Sequence, residues 1–245
     1  MTTTPESRTY HREDCVTFRK TSEQFGGLSN MAGGYRLLVN DVEIFTSEAL
    51  YQACRFPNLP DVQRLIIAQR SPMTAKMKSK PHRWRSRSDW EQVKVAIMGW
   101  CLRVKLAQNW ENFGQLLLST ENRPIVEDSR KDDFWGAIPV DSETLVGINA
   151  LGRLLMELRE LLKQPDADSS LQVVEPPTLP DFLLYEEPIG VINMNANHQI
   201  FAEVNQEKLE RPIPKLVGSK FNGNGEKTQK LTEQGKQLEL NLWGE

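Results

Sequence analysis

Three polar side chains on one short predicted helix have types and a spacing that suit catalysis or ligand binding. Thr46 is suited to the N-cap of this helix, and Pro57 ends it. Between them, Glu48, Gln52 and Arg55 recur at i, i+4 and i+7 and share one face. Their spacing aligns a carboxylate, an amide and a guanidinium along one wall. The alternative is a solvated helix face on which the carboxylate complements only the helix dipole.

A second group of candidates is acidic and aromatic, with neither helical nor alternating periodicity. Two acidic pairs, Glu127-Asp128 and Asp132-Asp133, precede Phe134-Trp135-Gly136. Carboxylates beside aromatic rings in a loop suit a sugar or a base, because a ring covers one face of the ligand while the acid accepts hydrogen bonds from it. A surface turn with one buried tryptophan explains the same residues.

Two lysines lie on the longest predicted helix. Ser88 and Glu91 have capping-box spacing, and the apolar periodicity continues to about residue 106. Lys94 and Lys105 fall within the wide apolar arc of this helix. Such a lysine extends its ammonium group toward solvent along its aliphatic stem. When desolvated, it acts instead as an amine nucleophile.

Two features favour a ligand that carries phosphate. Between Arg70 and Lys105 the chain has ten basic and two acidic residues, although its overall net charge is −3. This local excess attracts phosphates, while a solvated basic loop is the plainer interpretation. The segment Gly147-Ile148-Asn149-Ala150-Leu151-Gly152 opens the last predicted helix, where backbone N–H groups receive phosphates. Its glycines alternatively serve close packing.

Composition and motifs exclude several classes of protein. No run approaches 18 uncharged apolar residues, and the N-terminal segment lacks the apolar stretch of a secretion signal. We therefore expect a cytoplasmic protein with no membrane partner. The three cysteines have no CxxC spacing, which favours a reducing compartment and no metal site. With three histidines, no P-loop and no GxGxxG element, neither a serine–histidine–acid triad nor a dinucleotide site is predicted.

The elements that must position the candidates alternate between short strands and helices. Residues 14–20 and 35–45 have strand patterns, and the second is a hairpin that turns at Asn40-Asp41. Ser71-Pro72 predicts a break in the chain of helices. Helical patterns cover residues 46–56, 60–69, 88–106, 111–119 and 148–162. This order predicts an α+β, mostly helical single domain with a small β-hairpin or sheet.

The chain changes character after Gln164. Its proline content predicts a Pro-rich linker with short strands over residues 164–219. Residues 220–245 are mostly polar, so we expect a partly disordered extension that ends in a short apolar motif. This motif, Gln237-x-x-Leu240-x-Leu242-Trp243, is similar to the peptide by which bacterial DNA-processing proteins dock on the DNA sliding clamp. Its apolar side chains alternatively fold back on the domain.

Taken in order, these segments resemble the NADAR family over about residues 14–163, which we expect to be the catalytic domain. The resemblance is carried by Leu28-Ser29-Asn30, Thr46-Ser47-Glu48, Gln52-Ala53, Phe56, Ser71-Pro72, Ala75, Arg87-x-Asp89-Trp90-Glu91, Val93-Lys94, Met98, Lys105, Gln108, Leu117-Leu118-x-Thr120, Ile125-Val126-Glu127, Asp133-Phe134-Trp135-Gly136, Gly147-x-Asn149-x-Leu151-Gly152 and Leu154-Leu155-Met156-x-Leu158-Arg159. Two segments depart from the family pattern. Ala49–Phe56 lacks the usual histidine and has Arg55 in place of a lysine, and Ala137–Asp141 replaces a glycine-rich stretch.

The resemblance implies an N-glycosidase, an enzyme that hydrolyses the bond between a ribose C1′ and a base-like amine without a metal or cofactor. Family members are associated with two substrate classes. One is ADP-ribose attached to guanine in nucleic acid, which we expect here. The other is the set of phosphoribosylated intermediates of riboflavin synthesis. A non-catalytic module that binds ADP-ribose or nucleotides on the same fold is a third alternative.

The resemblance also assigns roles to individual residues. In an oxocarbenium-like transition state, a carboxylate stabilises the sugar cation and an acid assists departure of the nitrogen. Glu48 and Asp133 are the candidates for those two roles, and Lys94 is a candidate for Schiff-base capture of the opened sugar. The expected substrate-binding residues are Asn30 and Asn149 for hydroxyls, Gln52 beside them, Arg87 for phosphate, and Trp90 and Trp135 for stacking.

Overall fold

A computed structural model describes residues 6–194 of the chain. In that range the helices are α1 (Ser47–Ala53), α2 (Pro60–Ile67), α3 (Pro72–Ser79), α4 (Trp90–Gln108), α5 (Trp110–Leu118), α6 (Ala150–Leu162) and α7 (Ala167–Leu171). The strands are β1 (Arg8–His11), β2 (Val16–Phe18), β3 (Leu37–Val39), β4 (Val42–Ile44), β5 (Ile125–Glu127), β6 (Ile138–Pro139), β7 (Thr144–Gly147), β8 (Val173–Val174), β9 (Leu183–Leu184), β10 (Glu187–Pro188) and β11 (Ile192–Asn193). The predicted α+β, mostly helical architecture is confirmed.

The strands form small sheets around the helices. β7 lies between β1 and β6 in an antiparallel sheet, and β2 pairs with β5 in parallel, which places Phe18 opposite Glu127. β3 and β4 form the predicted hairpin. Its turn residues Asn40 and Asp41 have φ of 48° and 59°, the conformation that two-residue hairpin turns require. Asparagine and aspartate tolerate this conformation better than most residues, which explains the sequence signal.

Helix α4 is the centre of the core. It contacts α1, α5 and α6, and it also contacts β3 and β8. Ile97, Cys101 and Val104 are fully buried on it, as its wide apolar arc predicts. The predicted capping box does not form, since the N-cap position is Asp89 and its side chain makes no capping hydrogen bond. Within residues 6–194, no helix has the length and apolar character needed to cross a membrane.

Ser71-Pro72 begins a helix rather than only interrupting one. The Ser71 hydroxyl accepts a hydrogen bond from the Thr74 N–H at 3.4 Å, and Pro72 occupies the first turn of α3. Proline is favoured there because the first N–H groups of a helix have no partner within it. A 3₁₀ segment, Lys80–Arg85, then continues from α3. Helix α3 carries Lys76, a residue of the functional site, and was not predicted from the sequence.

Residues 167–192 pack into the core, so the described part of the expected linker is a structural element. Phe182 contacts Trp100 edge-to-face with ring centroids 4.9 Å apart. The Gln63 side chain donates to the Leu183 carbonyl and accepts from the Tyr185 N–H. Apolar residues between the prolines fill the core, which a count of prolines and polar residues does not reveal. The remainder of the expected linker and the motif Gln237–Trp243 lie outside the described residues.

Candidate active site

A cleft of about 350 Å³ opens between α1, α3 and the loop that follows β5. Its lining is mostly polar and includes carboxylates, cations and one indole ring. The lining residues are Ser29, Asn30, Met31, Glu48, Tyr51, Gln52, Arg55, Lys76, Arg83, Met98, Glu127, Ser129, Asp132, Trp135 and Leu151. Such a concave site with a few convergent polar groups is typical of a small-ligand or catalytic site.

Glu48 lies on the inner wall of the cleft, in the first turn of α1. The Thr46 hydroxyl caps this helix by accepting from the Ala49 N–H. Glu48 is 4% exposed, and each carboxylate oxygen accepts one hydrogen bond. Asn30 Nδ2 donates to Oε2 at 2.7 Å, and Gln52 Nε2 donates to Oε1 at 2.9 Å. The two amides therefore fix the orientation of this carboxylate.

Two opposing influences act on the protonation of Glu48. Burial raises its pKa above the ordinary value, because the charged form loses its hydration. Lys76, the two amide donors and Arg55 lower it. If Glu48 were protonated, one of its oxygens would become a donor facing an N–H group. The hydrogen-bond pattern therefore favours the carboxylate.

The amides that hold Glu48 are themselves held. The Ser79 hydroxyl donates to Gln52 Oε1 at 2.8 Å, which leaves the amide nitrogen facing Glu48. Lys105 Nζ donates to the carbonyls of Gly27 and Ser29, directly before Asn30. Fixed second partners of this kind maintain the geometry of a site.

Lys105 is fully buried and is absent from the cleft lining. Its Nζ lies 4.1 Å from the ring centroid of Tyr35 and 4.2 Å from that of Phe113. Burial lowers the pKa of this amine to about 7. The nucleophilic role considered for Lys105 is therefore not supported, and its structural role is to hold the loop that carries Asn30.

Glu127 is a second carboxylate of the cleft and ends strand β5. Burial raises its pKa to about 7, with a smaller contribution from the charge of Asp132 and opposition from Lys76. Asn149 fixes the strand, because its Oδ1 accepts from the Glu127 N–H and its Nδ2 donates to the Ile125 carbonyl at 2.8 Å. Glu127 and Glu48 thus face one cleft from different environments.

Aromatic rings and an arginine complete the wall. The Trp135 ring meets Tyr51 edge-to-face at 5.8 Å, and Tyr51 packs on Trp90 at 5.1 Å. The Arg55 guanidinium lies 4.3 Å from the Trp90 ring centroid. Burial lowers the pKa of Arg55 and raises that of Tyr51. The indole of Trp90 therefore supports Arg55 from behind.

The structure brings four of the predicted site residues together at the cleft. These are Asn30, Glu48, Gln52 and Trp135. Trp90 and Asn149 lie behind the lining: Trp90 supports Arg55, and Asn149 holds the Glu127 strand. The predicted stacking role of Trp90 and the predicted hydroxyl contact of Asn149 are therefore not supported by the geometry.

Three further predicted residues lie outside the cleft lining. Asp133 is exposed, and its neighbour Asp132 lines the cleft instead. Lys94 pairs with Glu91, and its Nζ lies 4.0 Å from the ring centroid of Phe134. Arg87 forms a two-point ion pair with Asp89 and donates to the Pro180 carbonyl. The geometry therefore does not support Asp133 as the acid, Lys94 as the amine nucleophile or Arg87 as a phosphate ligand.

The backbone N–H groups at the start of α6 already have hydrogen-bond partners within the protein. The backbone N–H groups of Asn149, Ala150 and Leu151 donate to the carbonyls of Gly136, Phe134 and Trp135. These donors are the ones that a bound phosphate would require. The predicted phosphate site at this helix start is therefore wrong, and its N–H groups anchor the aromatic loop instead.

Four cleft residues received no individual role from the sequence: Lys76 and Arg83 belonged only to the basic stretch, and Glu127 and Asp132 only to the two acidic pairs. The Ser-Pro pattern at 71–72 is a helix-start signal that would have placed Lys76 on α3. Glu127 ends a short apolar run that is typical of a strand. Nothing local distinguishes Asp132 from Asp133, because the turn between β5 and β6 decides which of them faces the cleft.

Comparisons with known proteins agree with this architecture. The N-glycosidase YbiA of Escherichia coli (strain K12) is 36% identical over 152 residues, which cover 62% of this chain and 90% of that protein. An N-glycosidase of Nostoc punctiforme is 29% identical, covering 60% of this chain and 92% of its own. A riboflavin biosynthesis protein of Vibrio vulnificus is 31% identical, covering 69% and 44% respectively.

Structure and family model lead to the same assignment. The NMR structure of E. coli YbiA is similar with a TM-score of 0.53 and 35% identity, covering 61% of this chain and 85% of that one. The model of the NADAR domain matches residues 17–163, which is more than half of the chain and includes all the residues that line the cleft. The chain belongs to the NADAR family.

Proposed function

We propose that this protein removes ADP-ribose from guanine in nucleic acid by hydrolysing the N-glycosidic bond between them. The activity class is that of its relatives: the protein is an N-glycosidase. The observation that supports the hydrolysis is the pair Glu48 and Glu127, two carboxylates held in different environments at one cleft. Environments that separate two carboxylates in this way divide the acid and base roles between them. Three cations in the same lining, Arg55, Lys76 and Arg83, support a substrate that carries a diphosphate.

Glu48 acts on the sugar. Cleavage of an N-glycosidic bond develops positive charge at C1′, and a fixed carboxylate stabilises that charge. The hydrogen bonds from Asn30 and Gln52 hold Glu48 in place and favour its ionised form. A water molecule then adds to C1′, and its proton passes to this carboxylate.

Glu127 acts on the leaving base. A carboxyl group with a pKa of about 7 keeps a proton in half of the molecules at neutral pH. Transfer of this proton from Glu127 to the departing nitrogen avoids an anionic leaving group. In the overall reaction water supplies a hydroxyl to C1′ and a proton to the base, and both carboxyl groups regain their starting states by exchange with solvent.

The remaining lining groups suit the other parts of the substrate. Asn30 Oδ1 is buried and accepts no hydrogen bond from the described residues, so it is available to a ribose hydroxyl. Trp135 offers an aromatic surface to a base. Arg55, Lys76 and Arg83 supply positive charge for the diphosphate.

A second candidate function uses the same chemistry on a phosphoribosylated intermediate of riboflavin synthesis. The observation that favours it is the similarity to riboflavin biosynthesis proteins of Vibrio vulnificus and Zea mays. In both functions, a cationic cleft binds phosphate, Glu48 acts at C1′ and Glu127 acts on the departing nitrogen. The two differ in the leaving group, so a substrate comparison separates them.

The test is to incubate the purified chain with ADP-ribosylated guanosine and with a phosphoribosylated pyrimidine amine, and to measure release of ADP-ribose or ribose phosphate. We expect ADP-ribose release, and loss of that release in Glu48→Gln. Turnover of the pyrimidine alone would establish the second candidate. Binding of both compounds without turnover of either would identify a non-catalytic module.

A further inference from the structure

The 3₁₀ segment after α3 carries an exposed tryptophan among cations at the edge of the cleft. Trp84 is 83% exposed, the most exposed large apolar side chain within residues 6–194. Lys78, Lys80 and Arg85 surround it in sequence and are also exposed. We call Lys78, Lys80, Arg83, Trp84 and Arg85 the Trp84 surface. An isolated apolar side chain on a surface is common, but a ring this exposed gains nothing from the fold itself.

The charge of the Trp84 surface is not neutralised by the protein. From Arg70 to Ser88 the sequence has no acidic residue. None of the cations of this surface forms an ion pair with a carboxylate in the described part of the chain. Unpaired cations beside an aromatic ring are the combination that single-stranded nucleic acid requires, because phosphates meet the cations and a base stacks on the ring.

The Trp84 surface is continuous with the cleft. Arg83 lines the cleft and is the residue directly before Trp84. Lys76, which also lines the cleft, belongs to the same stretch without acidic residues, Arg70 to Ser88. A strand whose modified nucleotide enters the cleft beside Arg83 therefore meets this surface at the cleft edge.

We propose that the Trp84 surface binds the single strand that flanks the modified nucleotide, with the adjoining base stacked on Trp84 and its phosphates on Lys80 and Arg85. This inference rests on the proposed function, because it names the part of the substrate beyond the cleft. A cleft enzyme reaches a base only when that base is outside the helical stack, so the strand at its edge is unstacked. An exposed indole offers the unpaired neighbour a replacement for its lost stacking.

The first experiment measures binding of the full chain to a labelled, unmodified ten-nucleotide single strand by fluorescence anisotropy at several salt concentrations. Trp84→Ala is expected to weaken binding about ten-fold, the usual effect of removing one base-stacking ring, and Trp84→Phe to restore most of it. Lys80→Ala with Arg85→Ala should lower the slope of log affinity against log salt concentration by about 0.7 for each phosphate that is no longer neutralised. The matched control is Arg8→Ala with Arg103→Ala, two exposed arginines elsewhere; it should leave the salt dependence unchanged.

The second experiment compares kcat/KM on an ADP-ribosylated oligonucleotide and on ADP-ribosylated guanosine. Trp84→Ala should lower the first about ten-fold and leave the second unchanged, because Trp84 is outside the cleft lining. If Trp84→Ala and the wild-type protein have equal kcat/KM on the oligonucleotide, the Trp84 surface does not bind the flanking strand. The proposed function would be unaffected by that result. Trp84-dependent binding of the strand with no hydrolysis of either compound would support the surface and contradict the proposed function.

Other partners are distinguished in the same assay. Binding to vesicles of anionic phospholipid with no binding to the strand would assign the surface to a membrane and overturn the proposal. Undetectable binding of the unchanged chain to the strand at low salt would also overturn it. Because the Trp84 side chain is exposed, Trp84→Ala is expected to keep the thermal unfolding midpoint, which is measured alongside.

Discussion

At the scale of single residues, the active site depends on an asymmetry between two glutamates. Glu48 accepts a hydrogen bond on each oxygen from an amide. Glu127 has a pKa of about 7, raised first by burial and then by the charge of Asp132. The charge of Glu48 also raises the pKa of Glu127, so ionisation of the first favours protonation of the second. The two glutamates therefore support each other's roles.

Replacement of Glu48 by glutamine tests the charge without changing the shape. We expect turnover to fall about 100-fold or more, since the amide cannot stabilise positive charge at C1′. Activity is measured as release of ADP-ribose from ADP-ribosylated guanosine. The control is Glu43→Gln on β4, a half-buried carboxylate whose one ion pair within residues 6–194 is with Arg36. Full activity in a folded Glu48→Gln protein would remove Glu48 from the mechanism.

The pH dependence of kcat/KM tests Glu127. A general acid must be protonated, so kcat/KM should be high below pH 7 and fall as pH rises through the pKa of about 7. Glu127→Gln should lower the rate and abolish this fall. Asp132→Asn should move the fall to lower pH, because it removes a charge that raises the pKa of Glu127. An unchanged profile in Glu127→Gln would contradict the assignment.

Replacement of Lys76 and of Lys94 tests which of the two lysines contributes to the reaction. Lys76→Met is expected to lower turnover about 100-fold, because it removes a cation that lines the cleft. Lys94→Met should stay within about three-fold of the unchanged chain, since its amine pairs with Glu91 outside the lining. Borohydride treatment during turnover locates any Schiff base. A covalent adduct on Lys94 would restore the role that the sequence suggested and contradict the geometry.

Residue-scale prediction from sequence was successful where a regular element sets the geometry. Glu48 and Gln52 face each other because i and i+4 adjoin on any α-helix, whatever surrounds it. The sequence cannot show which of Asp132 and Asp133 faces the cleft, because an irregular loop has no period. It also cannot show that Arg87 donates to the Pro180 carbonyl, which lies 93 residues away, although its ion-pair partner Asp89 is only two residues along the chain.

At the scale of elements, Lys105 on α4 holds the loop that carries Asn30. Its amine donates to two loop carbonyls and lies between two aromatic rings. Either protonation state can make both hydrogen bonds, because a neutral amine keeps two N–H groups. Burial lowers the pKa from 10.5 to about 7, so part of the folding free energy is linked to pH.

Lys105→Met tests this linkage. Between pH 7 and 10 the unfolded chain binds the proton that the folded chain has lost at Lys105. The free energy of unfolding of the unchanged chain should therefore rise with pH relative to Lys105→Met, by at most about 1.4 kcal/mol per pH unit. Denaturant unfolding at pH 7 and 9 measures the difference. A parallel pH dependence in the two proteins would show that Lys105 is charged when folded at both pH values.

The turn and helix boundaries show where local sequence signals predicted the structure and where they did not. The hairpin turn at Asn40-Asp41 was predicted because those residue types accept positive φ without help. Helix α3 was missed because Ser-Pro was interpreted as a break, although the same pair is a helix start. The capping box at Ser88 was predicted but does not form, and Glu91 pairs with Lys94 instead.

At the scale of the whole described structure, residues 167–192 extend the core beyond the segment that the family model matches. Phe182, Leu184 and Ile192 are buried in the same apolar cluster as α4. Asn40 of the hairpin turn donates to the Pro188 carbonyl and accepts from the Gly190 N–H. The segment is therefore joined to elements from the first half of the chain, and it should unfold with them.

Phe182→Ala tests that cooperativity. Phe182 is 7% exposed and its ring packs edge-to-face on Trp100 of α4, so truncation leaves a cavity between the segment and the central helix. We expect the free energy of unfolding to fall by about 3 kcal/mol in a single transition, the usual scale for a buried phenylalanine. Val173→Ala is the control, because Val173 is 45% exposed in the same segment and its truncation should cost under about 0.5 kcal/mol. An independent linker would behave differently: Phe182→Ala would leave the main transition in place, and the change would be confined to a separate, early loss of structure.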